Sequence, residues 1–396
     1  MLIGVVGKPS AGKSTFFKAS TLADVEIANY PFTTIKPNHA IGFVRIDCVD
    51  TFFKTQCTPR TGSCVHHQRF VPVELLDVAG LVPDAHKGEG LGLQFLNDLN
   101  QADALLHVVD ASGATDAKGN EVEAGTHDPL GDIRFLEHEL DHWYLTILNR
   151  GWDKLTRAAQ ATHEDAFKVI AKQLSGLGVS EDIAKDAMKT CKLTKALTQW
   201  TEEDLFSLAR TLRKRTKPML IVANKVDKPH AAENVARMKE TFPQLLIVPC
   251  SSEAELALKE AAKHGLIEYL SGDDHYEPKE EMTAEQQKAL AFVKKTVLDP
   301  FKGTGVQQAL NMAVFDLLKY KAVFPGGVNN LKDSEGRTLP DCFLLPEKAT
   351  ALDFAYRVHT DFGKNFIKAI DVKKKMPIGK DIVLKHRDVI EIMARA

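Results

Sequence analysis

Apolar residues along this chain fall into two kinds of run, and the two predict different elements. Five stretches are apolar almost without interruption and rich in β-branched residues: LIGVVG at 2–7, FVPVELLDV at 70–78, ADALLHVVDA at 102–111, PMLIVANK at 218–225 and QLLIVPCSS at 244–252. A strand that is apolar on both sides must be covered on both faces, as in a parallel sheet flanked by helices. Between the third and fourth stretches the period changes. In DIRFLEHELDHWYLTIL, Ile133, Leu136, Leu140, Trp143 and Ile147 recur at the spacing of one helix face. Leu205, Leu208 and Leu212 repeat that spacing in TEEDLFSLARTLRKR (201–215), where Thr201 and Asp204 make a capping pair. The pattern predicts an α/β domain made of 1–130 and 216–320, with a helical domain, 131–215, inserted into it. The heptads in the insertion are broken, so coiled-coil packing is one option among several there.

Towards the C-terminus the texture changes again. VFPGGVNNLKDSEGRTLP (323–340) is rich in Gly, Pro and Asn and reads as a succession of turns. CFLLP, FIKAIDV and DVIEIMA follow as short strands around one helix, TALDFAYRVHTDF, predicting a small α+β domain over 321–396. No internal repeat or low-complexity tract interrupts this order.

Composition narrows the classes. The 396 residues are 44% hydrophobic and 26% charged, ordinary for a globular protein, and the length suggests more than one domain. Lys plus Arg (51) nearly balances Asp plus Glu (53), so the chain lacks the basic excess of a protein that coats nucleic acid, and DNA is not an expected partner. Six cysteines, at 48, 57, 64, 191, 250 and 342, are too sparse for a disulfide framework and suit a reducing compartment. No apolar run approaches the ~20 residues that span a bilayer, and MLIGVVG begins a strand, not a signal peptide. The expectation is a soluble cytoplasmic monomer with no membrane partner.

The candidate chemistry sits at the ends of the predicted strands. GKPSAGKS at 7–14 fits G-x-x-x-x-G-K-[ST] between a strand and a helix start. The loop from Gly7 and Lys8 through Pro9, which has no N–H to give, would wrap phosphates with the backbone N–H groups of Gly7, Lys8, Ser10, Ala11, Gly12, Lys13, Ser14 and Thr15, helped by the positive end of the following helix. Lys13 should reach the β- and γ-phosphates and the Ser14 hydroxyl should ligate Mg²⁺. DVAG at 77–80 ends the second strand; there Asp77 would hold the same ion and the Gly80 N–H would sense the γ-phosphate. NKVD, 224–227, reads the base. Guanine offers two adjacent donors that one carboxylate accepts together, whereas adenine leaves it unpaired at a cost of order 1–3 kcal/mol or more. Asp227 therefore selects guanine, Asn224 bonds the base edge, Lys225 covers its face, and the segment Ser251, Ser252, Glu253 could offer a backbone N–H to the guanine oxygen. GTP is the expected substrate. YPFTTIKPN (30–38) lies where a loop closes over the γ-phosphate, and a threonine there would complete the magnesium shell.

With GKPSAGKST, YPFTTIKPN, DVAGLVPDAHKGEGLG and NKVD in this order, the chain resembles the Obg-like GTPases, in particular the YchF-type and DRG-type branches. EKATALDFAYRVHTDFGKNFIKAIDV, with DVIEIMA, resembles a TGS domain, a β-grasp unit. The resemblance covers nearly the whole chain. It implies phosphate contacts at Gly7 to Ser14 and at Phe32, Thr33, Thr34 and on to Lys36, with Thr34 on the magnesium. It also implies a slow GTPase switch acting on ribosomes or associated RNA through the TGS-like and helical domains. Two departures matter. YchF-type members that prefer ATP lack the aspartate that stands here as Asp227, so their preference is not carried over. Many relatives have asparagine at Ser10, where it helps to hold potassium, so K⁺ stimulation is not carried over either.

Leu81 follows DVAG where many switch GTPases carry a water-orienting glutamine. The resemblance implies a group with a hydrophobic residue there, leaving catalysis to Lys13, Thr34, Gly80, the magnesium and the loop amides. His86 reads as a surface histidine in a glycine-flanked loop. A GTP-gated binding module with negligible hydrolysis is the competing reading. Two further signals stand apart. Cys57, Cys64, His66 and His67 form C-x₆-C-x-H-H, not one of the usual zinc spacings; an ordinary surface hairpin loop is the leading reading, and a metal site in a metal-dependent regulatory protein is the alternative. Basic clusters at KRTK and DVKKKMPIGK (371–380) are candidate RNA-phosphate contacts, balanced against solvated loops.

Overall fold

The protein is described from a computed structural model covering residues 1–21, 38–78, 98–279 and 281–395. Its chain divides into two compact units, Met1–Ala19 with Leu75–Ala309, and Ser20–Glu74 with Leu310–Ala396.

In the first unit the strands β1 (Leu2–Val6), β5 (Ala104–Asp110), β6 (Met219–Asn224) and β7 (Leu246–Pro249) pair side by side, all parallel. Every residue of β5 and β6 is buried, as the unbroken apolar runs require. Each fully buried Leu, Ile or Val side chain contributes about 1.5–3 kcal/mol. Register places Val5 opposite Leu106, Leu106 opposite Leu220 and Val222 opposite Val248. Strand β4 (Gln68–Asp77) ends in this unit, where the Val78 N–H donates to the Val5 carbonyl at 3.1 Å. Because the strands run one way, their carboxyl ends share an edge, where ligands of open α/β sheets are bound.

Helices α2 (Pro129–Asn149), α3 (Trp152–Thr162), α4 (Ala166–Gln173), α5 (Glu181–Thr190) and α6 (Glu202–Thr216) form the helical stretch; later in the same unit come α7 (Ala231–Thr241) and the antiparallel pair β8 (Ile267–Glu268) and β9 (Glu277–Pro278). Helix α2 starts on Asp128, whose side chain accepts from the Leu130 N–H, with proline in the first turn. Ile133, Leu136, Leu140 and Trp143 are buried as the spacing predicts, while Ile147 is only partly covered. Thr201 and Asp204 cap α6 reciprocally. Arg213 ties the two helices together, its Nε on Asp141 Oδ1 at 2.7 Å and its Nη2 on Glu137 Oε1 at 3.2 Å. These helices share one continuous apolar core with the sheet, from Val6 and Val109 to Trp143 and Trp200. The apolar stripe of α2 and the faces of the strands thus satisfy one another. Among the described residues no helix is long and apolar enough to cross a membrane.

In the second unit, β2 (His39–Asp47) neighbours the hairpin of β3 (Ser63–Val65) with β4. A five-stranded sheet, ordered β11 (Phe343–Leu345), β10 (Lys321–Pro325), β14 (Asp388–Ala394), β12 (Phe366–Asp371) and β13 (Met376–Ile378), carries the helix Ala351–Val358 on a core of Val323, Phe354, Ala369 and Ile390. Two sequence expectations shift here. Val323 to Pro325 belong to strand β10 and not to the turns, because Ala322, Val323 and Phe324 are completely buried. TALDFAYRVHTDF is two helices, broken where His359 adopts an extended backbone and its ring caps Asp361.

Candidate nucleotide site

The first phosphate-loop residue follows β1 directly, and helix α1 (Lys13–Thr21) begins at the lysine. Two glycines are dictated by their surroundings. A Cβ on Gly7 would stand 2.5 Å from the Val108 carbonyl oxygen. One on Gly12, whose φ is +91°, would stand 2.2 Å from Asn224 Nδ2. Ser10 also takes a positive φ of 60° and is exposed with Pro9, as is Ser14 at the helix start. The Lys13 ammonium forms an ion pair with Asp77 Oδ1, so the loop lysine and the aspartate that ends β4 meet.

Lys8 differs from its neighbours in the loop. Its side chain is buried, donating to the Thr115 carbonyl at 2.7 Å and pairing with Asp132 Oδ2 at 2.8 Å. Lys8 can therefore meet a phosphate only through its backbone, and its charge serves the link from the loop to α2.

Asn224, 3% exposed, holds the base-side edge together. Its Nδ2 donates to the Ala11 carbonyl at 3.0 Å, and its Oδ1 accepts from the Ser252 N–H at 3.1 Å and the Ser252 hydroxyl at 2.9 Å. One amide thus joins the phosphate loop, the end of β6 and the start of helix α8 (Ser252–Lys263). Lys225, at a φ of 65°, donates to the Ser10 carbonyl at 2.8 Å and to Asp110 Oδ2 at 2.9 Å. Asp227 Oδ1 accepts the Ser251 hydroxyl at 2.7 Å, and the same Ser251 oxygen caps α8 through the Ala254 N–H. Gly12, Thr15, Asn224, Asp227, Ser251 and Glu253 line a cleft at this edge. Glu253 is exposed at its rim, in the first turn of α8.

Asp110 is the residue the sequence reading missed. It is completely buried at the end of β5 and accepts from the Ser112 N–H (3.0 Å), the Ser112 hydroxyl (2.5 Å), the Thr115 hydroxyl (2.9 Å) and Lys225. Burial alone would raise its pKa, but the Ser112, Lys225 and Thr115 donors outweigh that and hold the carboxyl below its ordinary value. Its only sequence signal is an aspartate closing an apolar strand beside the NKVD strand.

Phe32, Thr33, Thr34, Gly80, Leu81 and His86 lie outside the described residues. The two basic clusters are mostly exposed. In KRTK (214–217) Lys217 is buried, while Lys214 and Arg215 are exposed and Arg215 pairs with Asp186; Lys374, Lys375 and Lys380 are exposed in the second cluster. In the β12–β13 turn, Lys374 pairs with Asp371 at 2.8 Å and Lys373 donates to the Arg387 carbonyl at 2.5 Å.

Three family profiles match the chain: 50S ribosome-binding GTPase over residues 2–131, Obg-like GTPase YGR210-like, G4 motif-containing domain over 222–328, and TGS domain over 331–394. An uncharacterized GTP-binding protein of Methanocaldococcus jannaschii is 46% identical, covering 100% of this chain and 99% of its own. One from Schizosaccharomyces pombe is 35% identical over 89% of this chain and 88% of its own. The ribosome-binding ATPase YchF of Bacillus subtilis is 28% identical, covering 92% and 87% respectively. Among solved structures, a GTP-binding protein from Pyrococcus horikoshii OT3 superimposes with a TM-score of 0.79 at 36% identity, over 100% of both chains. The Schizosaccharomyces pombe YchF GTPase shares the fold, with a TM-score of 0.60 at 20% identity over 99% of this chain and 97% of its own.

Proposed function

This chain belongs to the Obg-like GTPases, and we propose that within that family it is a GTP-binding switch that slowly hydrolyses GTP to GDP and phosphate. The observation that carries this reading is the Asp227 carboxylate, fixed by the Ser251 hydroxyl beside an Asn224 that is tied to the phosphate loop. A carboxylate already held in place at the edge of this cleft accepts both guanine donors without a further ordering cost.

In this reading the amides of Gly7 to Ser14 hold the phosphate oxygens and Lys13 leaves Asp77 for the β- and γ-phosphates. Asp77, the Ser14 hydroxyl and Thr34 are hard oxygen donors of the kind that suit Mg²⁺, which when bound supplies charge neutralisation on the phosphates. Lys13 and the loop amides stabilise charge as water adds to the γ-phosphorus and the bond to the bridging oxygen breaks. GDP leaves, and the proton from water ends on the phosphate or in solvent. Leu81 supplies no side chain to orient that water, so turnover is slow. The switch acts on ribosomes or associated RNA, a reading supported by the ribosome-binding names of the matched profile and of the Bacillus subtilis relative.

Asp227→Asn tests the substrate. The variant should lose its preference for GTP over xanthosine triphosphate, and an unchanged preference would refute the assignment. Leu81 also favours a second reading, a GTP-gated binding module. Single-turnover hydrolysis with Mg²⁺, in potassium against sodium and with or without ribosomes, separates the two. Acceleration by ribosomes or potassium supports the switch; a negligible rate throughout supports the module.

A further inference from the structure

The hairpin expected at Cys64, His66 and His67 is present, but it is not an ordinary surface loop. Val65 pairs with Gln68, so His66 and His67 are the two central residues of the turn. Both have positive φ, 49° and 62°, the type I′ conformation that usually takes Asn-Gly. Two non-glycine residues in that region cost backbone energy and need surroundings that hold them. Here the Cys48 N–H donates to the His67 carbonyl at 2.7 Å and His67 Nδ1 meets Asp50 Oδ1 at 3.0 Å.

What these contacts enclose is a cluster of thiols. Cys48 follows β2, Cys57 lies in the next loop and Cys64 is on β3, all three as free thiols. Cys48 is 0% and Cys57 2% exposed. The donor atoms of Cys48, Asp50, Cys57 and Cys64 all lie within 4.8 Å of one another, with the Cys48 and Cys57 sulfurs 3.4 Å apart. Three thiols facing one another in a buried site gain only weak hydrogen bonds. A tetrahedral ion with metal–sulfur bonds of about 2.3 Å holds its sulfurs about 3.8 Å apart, inside the 4.8 Å within which these donor atoms lie.

The surroundings suit thiolates. Arg69, 1% exposed, points Nη1 at the Cys57 sulfur at 3.5 Å while also donating to the Leu339 and Pro340 carbonyls at 3.2 and 2.8 Å. Asp50, completely buried, accepts the Cys57 N–H at 3.0 Å on the oxygen that the Cys64 sulfur approaches at 3.6 Å. Cys342 lies near enough to feel Cys48 and Cys57, so four of the six cysteines gather in one region of the second unit.

We propose that Cys48, Cys57 and Cys64, with the Asp50 carboxylate, bind one zinc-class divalent ion. Soft thiolates select zinc over magnesium or calcium. Binding forms three metal–sulfur bonds and one metal–oxygen bond; the protons still on the thiols leave to solvent, and the metal keeps its oxidation state. Arg69 offsets the excess negative charge, and His67 orients Asp50 through its other oxygen, as outer-shell groups do. The ion staples the loop between β2 and β3 into the second unit, where Thr58 and Arg60 donate backbone bonds to Thr338 and Pro340 at 2.9 Å each. The site shares no residue with the nucleotide cleft and stands independently of the proposed GTPase.

The full chain, purified with a reductant and no chelator, should carry about one equivalent of zinc by mass spectrometry of the metal. Cobalt(II) titrated into the stripped protein should give thiolate-to-cobalt charge transfer and the intense visible bands of a tetrahedral ion. Cys64→Ser should weaken cobalt binding by at least tenfold, with GTP-analogue binding serving as the control for folding. Wild-type protein that takes up neither zinc nor cobalt under reducing conditions would overturn the proposal without relying on any variant. So would a Cys48–Cys57 disulfide in the reductant-free protein that persists as the dominant form when zinc is supplied.

Discussion

Replacing Asn224 by alanine removes three hydrogen bonds from a residue that is 3% exposed, one to Ala11 and two from Ser252. Each is worth a net ~1 kcal/mol, and buried groups left without partners cost ~1–3 kcal/mol each, so the change should destabilise the first unit by about 3 kcal/mol. The three tryptophans, Trp143, Trp152 and Trp200, all lie in that unit and contribute to its core, so urea unfolding followed by their fluorescence reports it. Nucleotide affinity should fall about tenfold as well, roughly 1.4 kcal/mol, because the phosphate loop and the base-reading strand are no longer tied before the ligand arrives. Asn224→Asp should separate the two ends of the link. It keeps an acceptor for Ser252 but turns a second carboxylate oxygen toward the Ala11 carbonyl, so it should retain the α8 contact and lose the phosphate-loop tether. A loss of stability below about 1 kcal/mol in Asn224→Ala would refute the claim that this amide holds the site together.

Two further outcomes follow from buried groups near the loop. Lys8→Met keeps the length of the side chain but strips Asp132 of its cation, leaving it His127 at 2.9 Å; breaking such a buried pair should cost about 3–5 kcal/mol in the same urea assay. Nucleotide affinity measured on the folded fraction should change less than about threefold, since the ammonium does not face the phosphates; a large loss of affinity at full stability would contradict that placement. His107, 2% exposed in β5, is held down to about 3 by burial and by the Lys8 charge. The unfolded chain then binds the extra proton first, so this contribution is fully present above pH 6.5 and is lost as pH falls towards the folded value. Between pH 6.5 and 5 the loss should be about 2 kcal/mol, and His107→Leu should flatten that slope; an equally steep slope in the variant would assign it to other groups.

Sequence alone determined whatever depends on residues close together in the chain. GKPSAGKS, NKVD and the Asp77 that opens DVAG each follow an apolar strand in the chain, so the strand end on which each stands could be read directly. The same holds for the helix stripe of Ile133, Leu136, Leu140 and Trp143, and for the cap at Thr201, because side-chain periodicity and local hydrogen bonds have a range of one or two turns. Tertiary structure decided what distant segments do to one another. Lys8 looked like part of the phosphate grip until α2 brought Asp132 to it. Asp110 looked like a strand end until β6 delivered Lys225 beside it. Ser20–Glu74 falls into one compact unit with the C-terminal residues, although by position it belongs with the phosphate loop. Cys57 and Cys64 lacked a zinc spacing on their own; the turn after β2 supplies Cys48 and Asp50. A local pattern fixes which atoms a residue offers, but the packing of remote elements fixes which of those atoms are buried together and therefore must be satisfied by one another.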